Sequence, residues 1–221
     1  MARIARVVAE HYPHHITQRG NRRQDTFFCD DDYRYYIRLM AEWCDKCGIK
    51  VWAYCLMPNH VHLIVVPRKV DDMSRAIGET HRKYTRMVNF RENWRGYLWQ
   101  GRFSSFVLDE RYLLAATRYI LFNPVKAKIV KNPWDYQWSS ARHHLNIEKS
   151  AFFKSDLLDN LVGDWKKFLS HGTVSQSDIE AIKLHERTGR PLGGESFIEK
   201  LEKVTHISLK KKRAGRKPKE K

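Results

Sequence analysis

The 221-residue sequence predicts an α+β protein in which one antiparallel sheet packs against helices. Segments rich in β-branched and aromatic residues alternate with segments whose apolar residues recur every three or four positions. Two of the strand-like segments are separated only by a short turn, and such a hairpin requires antiparallel pairing. Beyond about residue 145 the sequence becomes more polar and helix-prone, which indicates a small helical extension that ends in a basic tail.

The first strand and the first helix are predicted near the N-terminus. The segment 14–18 (HHITQ) has strand character and is closed by the turn-prone residues 19–21. Three consecutive aspartates beginning at Asp30 favour the start of a helix, because acidic groups stabilise a helix N-terminus. Apolar residues then recur at helical spacing, and Gly48 is a plausible end of this helix.

A β-hairpin and a second helix are predicted to follow. The segments 50–56 (KVWAYCL) and 61–66 (VHLIVV) have strand composition, and the turn residues 57–59 lie between them. Acidic residues at 71 and 72 introduce a helix from about Asp72 to Asn89. The hairpin therefore separates the first helix from the second.

A fourth strand is predicted over residues 96–107, with a bend at Gly101. A third helix begins near Asp109, and Pro124 is expected to end or kink it. The resulting order, β-α-β-β-α-β-α, is that of a ferredoxin-like fold with helices on one face of the sheet. The other face of such a sheet can hold a ligand.

The chain divides into three parts on composition. We expect one main domain over residues 1–148, a helical extension over residues 149–208 and a disordered basic tail over residues 209–221. The tail is either a solubilising segment or an arm that contacts phosphates.

The charge balance indicates a polyanionic partner. Lysine and arginine number 41 against 25 aspartates and glutamates, which gives a net charge of +16 and a pI near 9.8. Charge alone does not separate DNA from RNA or from an anionic membrane surface. No run of apolar residues is long enough for a transmembrane helix, and the N-terminus lacks signal-peptide features, so a cytoplasmic location is expected.

A pair of histidines is the first candidate for chemistry. Alternate side chains of a strand face the same way, so His60 and His62 project to one side of the sheet and Val61 projects to the other. Two neutral imidazoles at this spacing can bind one divalent metal ion. Two histidines with a purely structural role are the alternative.

Tyr119 and Asn123 are the second candidate. Positions four residues apart share one face of a helix, so the phenol and the amide oxygen could point into the same space. The pair is common in proteins and means little alone. Asn123 also precedes Pro124, which disfavours helical geometry at Asn123.

Taken together, these motifs resemble a known family. The segment MPNHVHLI on a strand, followed by RYILFNPVKA on a helix, is similar to the HUH-type single-tyrosine transposases, in particular the REP-associated tyrosine transposases. Further similar segments are HHITQRGNRRQ, LWQGRFSSFVLDE and NPWDYQWSSARHHL. The resemblance spans roughly residues 5–145, and the later TGRPLGG loop and basic tail resemble the C-terminal extension of some members.

The resemblance implies a catalytic domain and a mechanism. His60 and His62 would bind a catalytic Mg²⁺ or Mn²⁺ ion, and Tyr119 would be the nucleophile. The third metal ligand would fall on Asn123, where many relatives carry the longer glutamine. Such a site cleaves and rejoins single-stranded DNA through a 5′-phosphotyrosine, as in DNA transposition.

The implied partners are single-stranded DNA hairpins with short unpaired flanks. No membrane and no small-molecule substrate is implied, the expected location is nucleoid-associated, and the choice between monomer and homodimer stays open. Contacts to the DNA are expected from seven polar residues, most of them suited to phosphates. These are Arg19, Asn21, Arg22, Arg23, Arg82, Arg86 and Arg102.

Three other functions remain open. One is a domesticated, non-catalytic protein that only binds DNA hairpins. Another is a nicking enzyme of rolling-circle replication or conjugation, although such relatives commonly place the tyrosine differently. The third is a metallohydrolase in which His60 and His62 activate water, and this enzyme would leave no covalent protein–DNA adduct.

Overall fold

A computed structural model of the protein describes residues 5–149, 153, 155–170 and 173–210. A four-stranded sheet lies at its centre, in the order β2-β3-β1-β4, and every neighbouring pair is antiparallel. The strands are β1 (His14–Arg19), β2 (Lys50–Met57), β3 (His60–Val66) and β4 (Ser104–Val107). The predicted α+β class and the ferredoxin-like antiparallel sheet are confirmed.

Three long helices connect and follow the strands, as the sequence predicts. They are α1 (Asp30–Lys46), α2 (Val70–Arg91) and α3 (Glu110–Leu121). The three consecutive aspartates do lie in the first turn of α1, and Asp109 caps α3 by accepting a hydrogen bond from the backbone N–H of Tyr112 at 2.8 Å. The remaining helices are α4 (Asn123–Lys126), α5 (Ala141–His144), α6 (Asp156–Val162), α7 (Trp165–Ser170), α8 (Gln176–Thr188) and α9 (Glu195–Thr205).

Helices cover both faces of the sheet, whereas the sequence predicts helices on only one face. On the first face, α1 and α2 pack against alternate residues of β3 such as Val61 and Leu63. On the second face, α3 packs against the intervening residues Ile64 and Val66. The reason is that β3 is apolar on both sides beyond His62, and each buried aliphatic side chain contributes about 1.5–3 kcal/mol.

The fourth strand is shorter than predicted. Residues 96–103 form an irregular loop, and the strand covers only Ser104–Val107. Gly96 and Gly101 both have positive φ values, of 97° and 62°, which interrupt an extended ladder. Trp99 in this loop is buried in the first core.

The helical extension predicted over residues 149–208 contains the helices α6–α9. Its helix α8 lies against β4 and α3, and residues of the extension such as Ile182 and Leu192 join the core on the second face. The backbone of Leu192 bonds to both Val107 and Asp109, which attaches the TGRPLGG loop to the end of β4. The division at residue 148 stays a prediction, and the tail from residue 211 onward lies outside the described residues.

Within the part of the chain that the structure describes, none of the helices combines the length and the apolar composition that crossing a bilayer demands.

Candidate active site

The strand β3 presents both motif histidines on the second face of the sheet. The rings of His60 and His62 lie 5.0 Å apart between centroids, and Val61 points into the opposite core. His62 is buried, whereas His60 is half-buried. The alternation of a strand therefore brings the two imidazoles together, as expected.

A third histidine and a glutamate complete a cluster that the sequence did not reveal. His15 of β1 places its Nε2 at 3.0 Å from Nδ1 of His62. Glu186 of α8 approaches from the extension, with its Oε1 at 3.9 Å from His15 and 3.8 Å from His62. The potential ligand atoms of His15, His62 and Glu186 all lie within 4.8 Å of one another.

The Glu186 carboxylate has unusual surroundings. Its Oε1 is buried and has no hydrogen-bond partner among the described residues, which is costly for a polar atom. Burial raises the pKa of Glu186 to about 7, although Arg19 and Lys183 lower it. A buried oxygen beside two imidazoles is a donor set that suits a divalent cation.

Tyr119 lies over this cluster. It belongs to α3, is 8% exposed, and its ring centroid lies 5.7 Å from that of His62 and 6.4 Å from that of His15. Burial raises the pKa of the Tyr119 phenol, and the charge of Glu186 adds to this shift. The phenol is therefore protonated at neutral pH and needs activation before it can act as a nucleophile.

Asn123 does not continue the helix that carries Tyr119. The helix α3 ends at Leu121, and Asn123 opens the short helix α4, with Pro124 in its first turn. The helical geometry of Asn123 contradicts the expectation from the sequence, and the break falls at Phe122 instead, because Pro124 has no N–H to donate to the carbonyl of Ile120. The side-chain Nδ2 of Asn123 is buried without a hydrogen-bond partner among the described residues.

All three clustered histidines are neutral at physiological pH. Burial lowers the pKa of His15 to about 3 and that of His60 to about 4, and it lowers the pKa of His62 well below its usual value. Arg19 adds a smaller lowering effect at His60 and His62. Neutral imidazoles keep a nitrogen lone pair, which metal binding requires.

Asn59 determines which nitrogen of His60 carries that lone pair. The Nδ2 of Asn59 donates to the carbonyl of Arg23 at 3.1 Å, so its Oδ1 must face the other way, toward His60. This oxygen lies 2.6 Å from Nδ1 of His60 and can only accept, so Nδ1 carries the proton. The Nε2 atom of His60 is then free to bind a metal ion.

The segment before α1 wraps around the turn between β2 and β3. The N–H of Gly20 donates to the carbonyl of Asn59, and the N–H groups of Thr26 and Phe27 donate to that of Pro58. A side chain at Gly20 would place its Cβ 2.3 Å from the carbonyl oxygen of Gln24, so only glycine fits. This packing joins the turn that precedes His60–Val61–His62, the HVH motif, to the segment that carries Arg22 and Arg23.

We call the basic cavity beside the cluster the arginine cleft. It has a volume of about 800 Å³, and Thr17 and Glu186 also line it. Its arginines are Arg19, Arg22, Arg23, Arg102 and Arg187. Arg22 and Arg23 have positive φ values of 53° and 63°, a conformation that non-glycine residues rarely adopt and that often marks functional sites.

The seven predicted DNA-contacting residues are distributed unevenly around this cleft. Four arginines, Arg19, Arg22, Arg23 and Arg102, line it. Asn21 and Arg82 line the two neighbouring cavities, and Arg86 is exposed on α2 but lines none of the three. Arg187, in contrast, was missed, because its helix has no sequence motif that links it to the sheet.

Comparison with known proteins gives a consistent result. The model of the family described as IS200-like transposases matches residues 8–123, a range that begins before β1 and ends at Asn123. A Haemophilus influenzae protein named as a REP-associated tyrosine transposase is 28% identical over 116 residues, which cover 48% of this chain. The match spans 66% of that relative, just under two thirds of its length.

A solved structure shares the fold. It is that of a REP-associated tyrosine transposase bound to a REP hairpin, and it superimposes with a TM-score of 0.60 at 19% identity. The superposition covers 80% of this chain and 94% of the other. At this level of identity the likeness concerns the architecture.

Proposed function

Because the chain belongs to the family of IS200-like transposases, we propose that it cuts and rejoins single-stranded DNA at hairpin elements through a covalent bond to Tyr119. The observation that carries the proposal is the position of Tyr119. The centroid of its ring lies 5.7 Å from that of His62, on the same face of the sheet as His60. A nucleophile beside a pair of neutral imidazoles that can hold a metal ion suits this chemistry.

The proposed reaction exchanges one ester for another. The phenol oxygen of Tyr119 attacks the phosphorus of a DNA phosphodiester, and the bond to the 3′ oxygen breaks. The products are a 5′-phosphotyrosine and a free 3′-hydroxyl, which takes up a proton while the phenol loses one. Attack by a 3′-hydroxyl on the phosphotyrosine reverses these changes, so rejoining needs no nucleotide cofactor.

The donor set fits a divalent metal ion, Mg²⁺ or Mn²⁺. His60 and His62 would hold the ion, with Asn123 as the proposed third ligand. The buried oxygen of Glu186 lies on the side of His62 that faces His15, 3.8 Å from Nδ1 of His62, and adds negative charge behind that ring. When bound, such an ion neutralises charge on the phosphate that is attacked. His15 fixes His62 through its 3.0 Å contact and leaves the opposite nitrogen of that ring for the ion.

The arginine cleft supports a polyanionic substrate. Its five arginines outnumber its one acidic residue, Glu186, and the cleft adjoins the proposed metal site. Phosphate contacts of this kind position DNA without reading its sequence. A hairpin substrate is supported by the solved relative that is bound to a REP hairpin. The nucleoid-associated location remains a prediction.

A covalent adduct is the decisive test. The purified protein would be incubated with a labelled DNA hairpin from the flanks of its own gene, with Mn²⁺ or Mg²⁺, and separated on a denaturing gel. We expect a protein–DNA band that requires metal and disappears in Tyr119→Phe and His60→Ala. Cleavage without an adduct would instead indicate a metallohydrolase, and binding without cleavage would indicate a domesticated hairpin-binding protein.

A further inference from the structure

Tyr97 is an exposed aromatic side chain on a well-anchored loop. Its side chain is 86% exposed, although the backbone on both sides is fixed. The Nδ2 of Asn89 donates to the carbonyl of Gly96 at 2.9 Å, and the N–H of Asn21 donates to that of Leu98 at 2.8 Å. The loop therefore holds a large apolar ring in solvent, where no core packing accounts for it.

Two cavities meet at this ring. Tyr97 lines one cavity of about 660 Å³ and a second of about 370 Å³. Among the described residues, neither cavity is lined by an aspartate or a glutamate. The arginines of the first are Arg6, Arg82 and Arg102, and those of the second are Arg22 and Arg95.

Part of this charge is already engaged. Arg82 pairs with Glu79 at 2.7 Å, and Arg6 bonds to Ser74 and lies over the ring of Phe103. The second cavity also carries an amide side chain at Asn21, a group that can bond to base edges. Positive charge beside a projecting aromatic ring is the combination that binds single-stranded nucleic acids.

Both cavities adjoin the arginine cleft, because each shares an arginine with it. Arg102 lines the cleft and the first cavity, and Arg22 lines the cleft and the second. A DNA strand that passes through the cleft next to Tyr119 can therefore continue into either cavity. Its next unpaired bases would then meet the ring of Tyr97.

We infer that Tyr97 is a stacking platform for an unpaired nucleotide that flanks the DNA hairpin. The identity of the polymer rests on the proposed function. The ring stacks on the face of a base, and the arginines on either side hold the adjacent phosphates. Every base has such a face, so the platform orders the flank without selecting one base.

The test uses the full-length protein and a hairpin that carries an unpaired flank with 2-aminopurine, a base whose fluorescence falls when it stacks. We expect quenching with the native protein, a loss of quenching in Tyr97→Ala and its recovery in Tyr97→Phe. Tyr97→Ala should also weaken binding of the flanked hairpin by about 5- to 150-fold. Phe90→Ala is the matched control, because Phe90 is 89% exposed but lines neither cavity.

Two further substrates separate this inference from the proposed function. Tyr97→Ala should bind a hairpin without a flank as the native protein does, and the flank alone, as a single strand, should still show quenching that depends on Tyr97. Equal losses with flanked and unflanked hairpins would overturn the platform, as would quenching that is unchanged in Tyr97→Ala. Failure to form the Tyr119 adduct would remove the cleavage proposal but would leave the Tyr97-dependent quenching intact.

Discussion

Replacement of Asn59 by alanine is expected to weaken Mn²⁺ binding about 10- to 100-fold, which corresponds to about 1.4–2.8 kcal/mol. Asn59 is not among the proposed ligands. Its Oδ1, however, fixes the proton of His60 on Nδ1 through the 2.6 Å contact. Loss of this hydrogen bond costs about 0.5–1.5 kcal/mol, and a ring that is free to rotate and to change tautomer accounts for the remainder.

The assay is a titration of the purified protein with Mn²⁺, in which electron paramagnetic resonance measures the free ion. The main-chain hydrogen bond from Gly20 to the carbonyl of Asn59, 2.8 Å long, is kept in the alanine variant, so the turn should still fold. Asn59→Asp is the matched control, since its carboxylate still accepts from Nδ1 of His60. Native affinity in Asn59→Ala would refute this reasoning, and equal losses in both variants would show that Asn59 serves the turn and not the tautomer.

The remaining predictions concern charge and packing around the same site. Glu186→Gln removes negative charge beside His15 and His62 and should reduce Mn²⁺ affinity without unfolding the protein, as measured by the same titration with a thermal melt as control. Unchanged affinity would count against an effect of this carboxylate on the proposed metal site. Arg22→Ala should lower the slope of log binding constant against log salt by about 1, whereas Arg86→Ala, outside the cleft, should leave it unchanged. Gly20→Ala should lower the unfolding free energy because its Cβ would meet a backbone oxygen, and urea denaturation that matched the native protein would contradict this. Burial lowers the pKa of His14, whose Nε2 accepts from the N–H of Ala9, to about 4. The contribution of neutral His14 to the unfolding free energy is therefore complete above the unfolded pKa near 6.5 and should fall by about 2 kcal/mol at about pH 5. Urea denaturation at the two pH values should show a loss that is smaller by this amount in His14→Gln, and equal losses in both proteins would contradict the prediction.

The sequence predicted those parts of the site that depend on local periodicity. The alternation of a strand placed His60 and His62 on one face, and the apolar spacing of α3 identified the helix that carries Tyr119. Both inferences depend only on neighbours within one element. The resemblance to a family added their roles, which spacing does not determine.

Contacts between distant segments could not be predicted in this way. Glu186 lies near His15 only because α8 packs against β4 and α3. No motif in the sequence of α8 predicts that packing. The segment before β4 has strand composition, but the positive φ values of Gly96 and Gly101 turn it into the loop that carries Tyr97. A single glycine in a pattern of apolar residues does not say which conformation it adopts.

The pairing of β1 with β3 has a consequence for how changes in chain length would be tolerated. Six residue pairs join these strands, and the pair Thr17–His62 places the imidazole on the second face. Because successive side chains point to opposite faces, a slip of one residue would move His60 and His62 into the first core and bring Val61 out in their place. A one-residue insertion or deletion between His62 and Leu63, with the aliphatic residues of β3 kept in register with β1, would therefore disrupt the proposed metal site even if every residue of the HVH motif were retained. The register of β3 against β1 is as much a part of the proposed site as the histidines themselves.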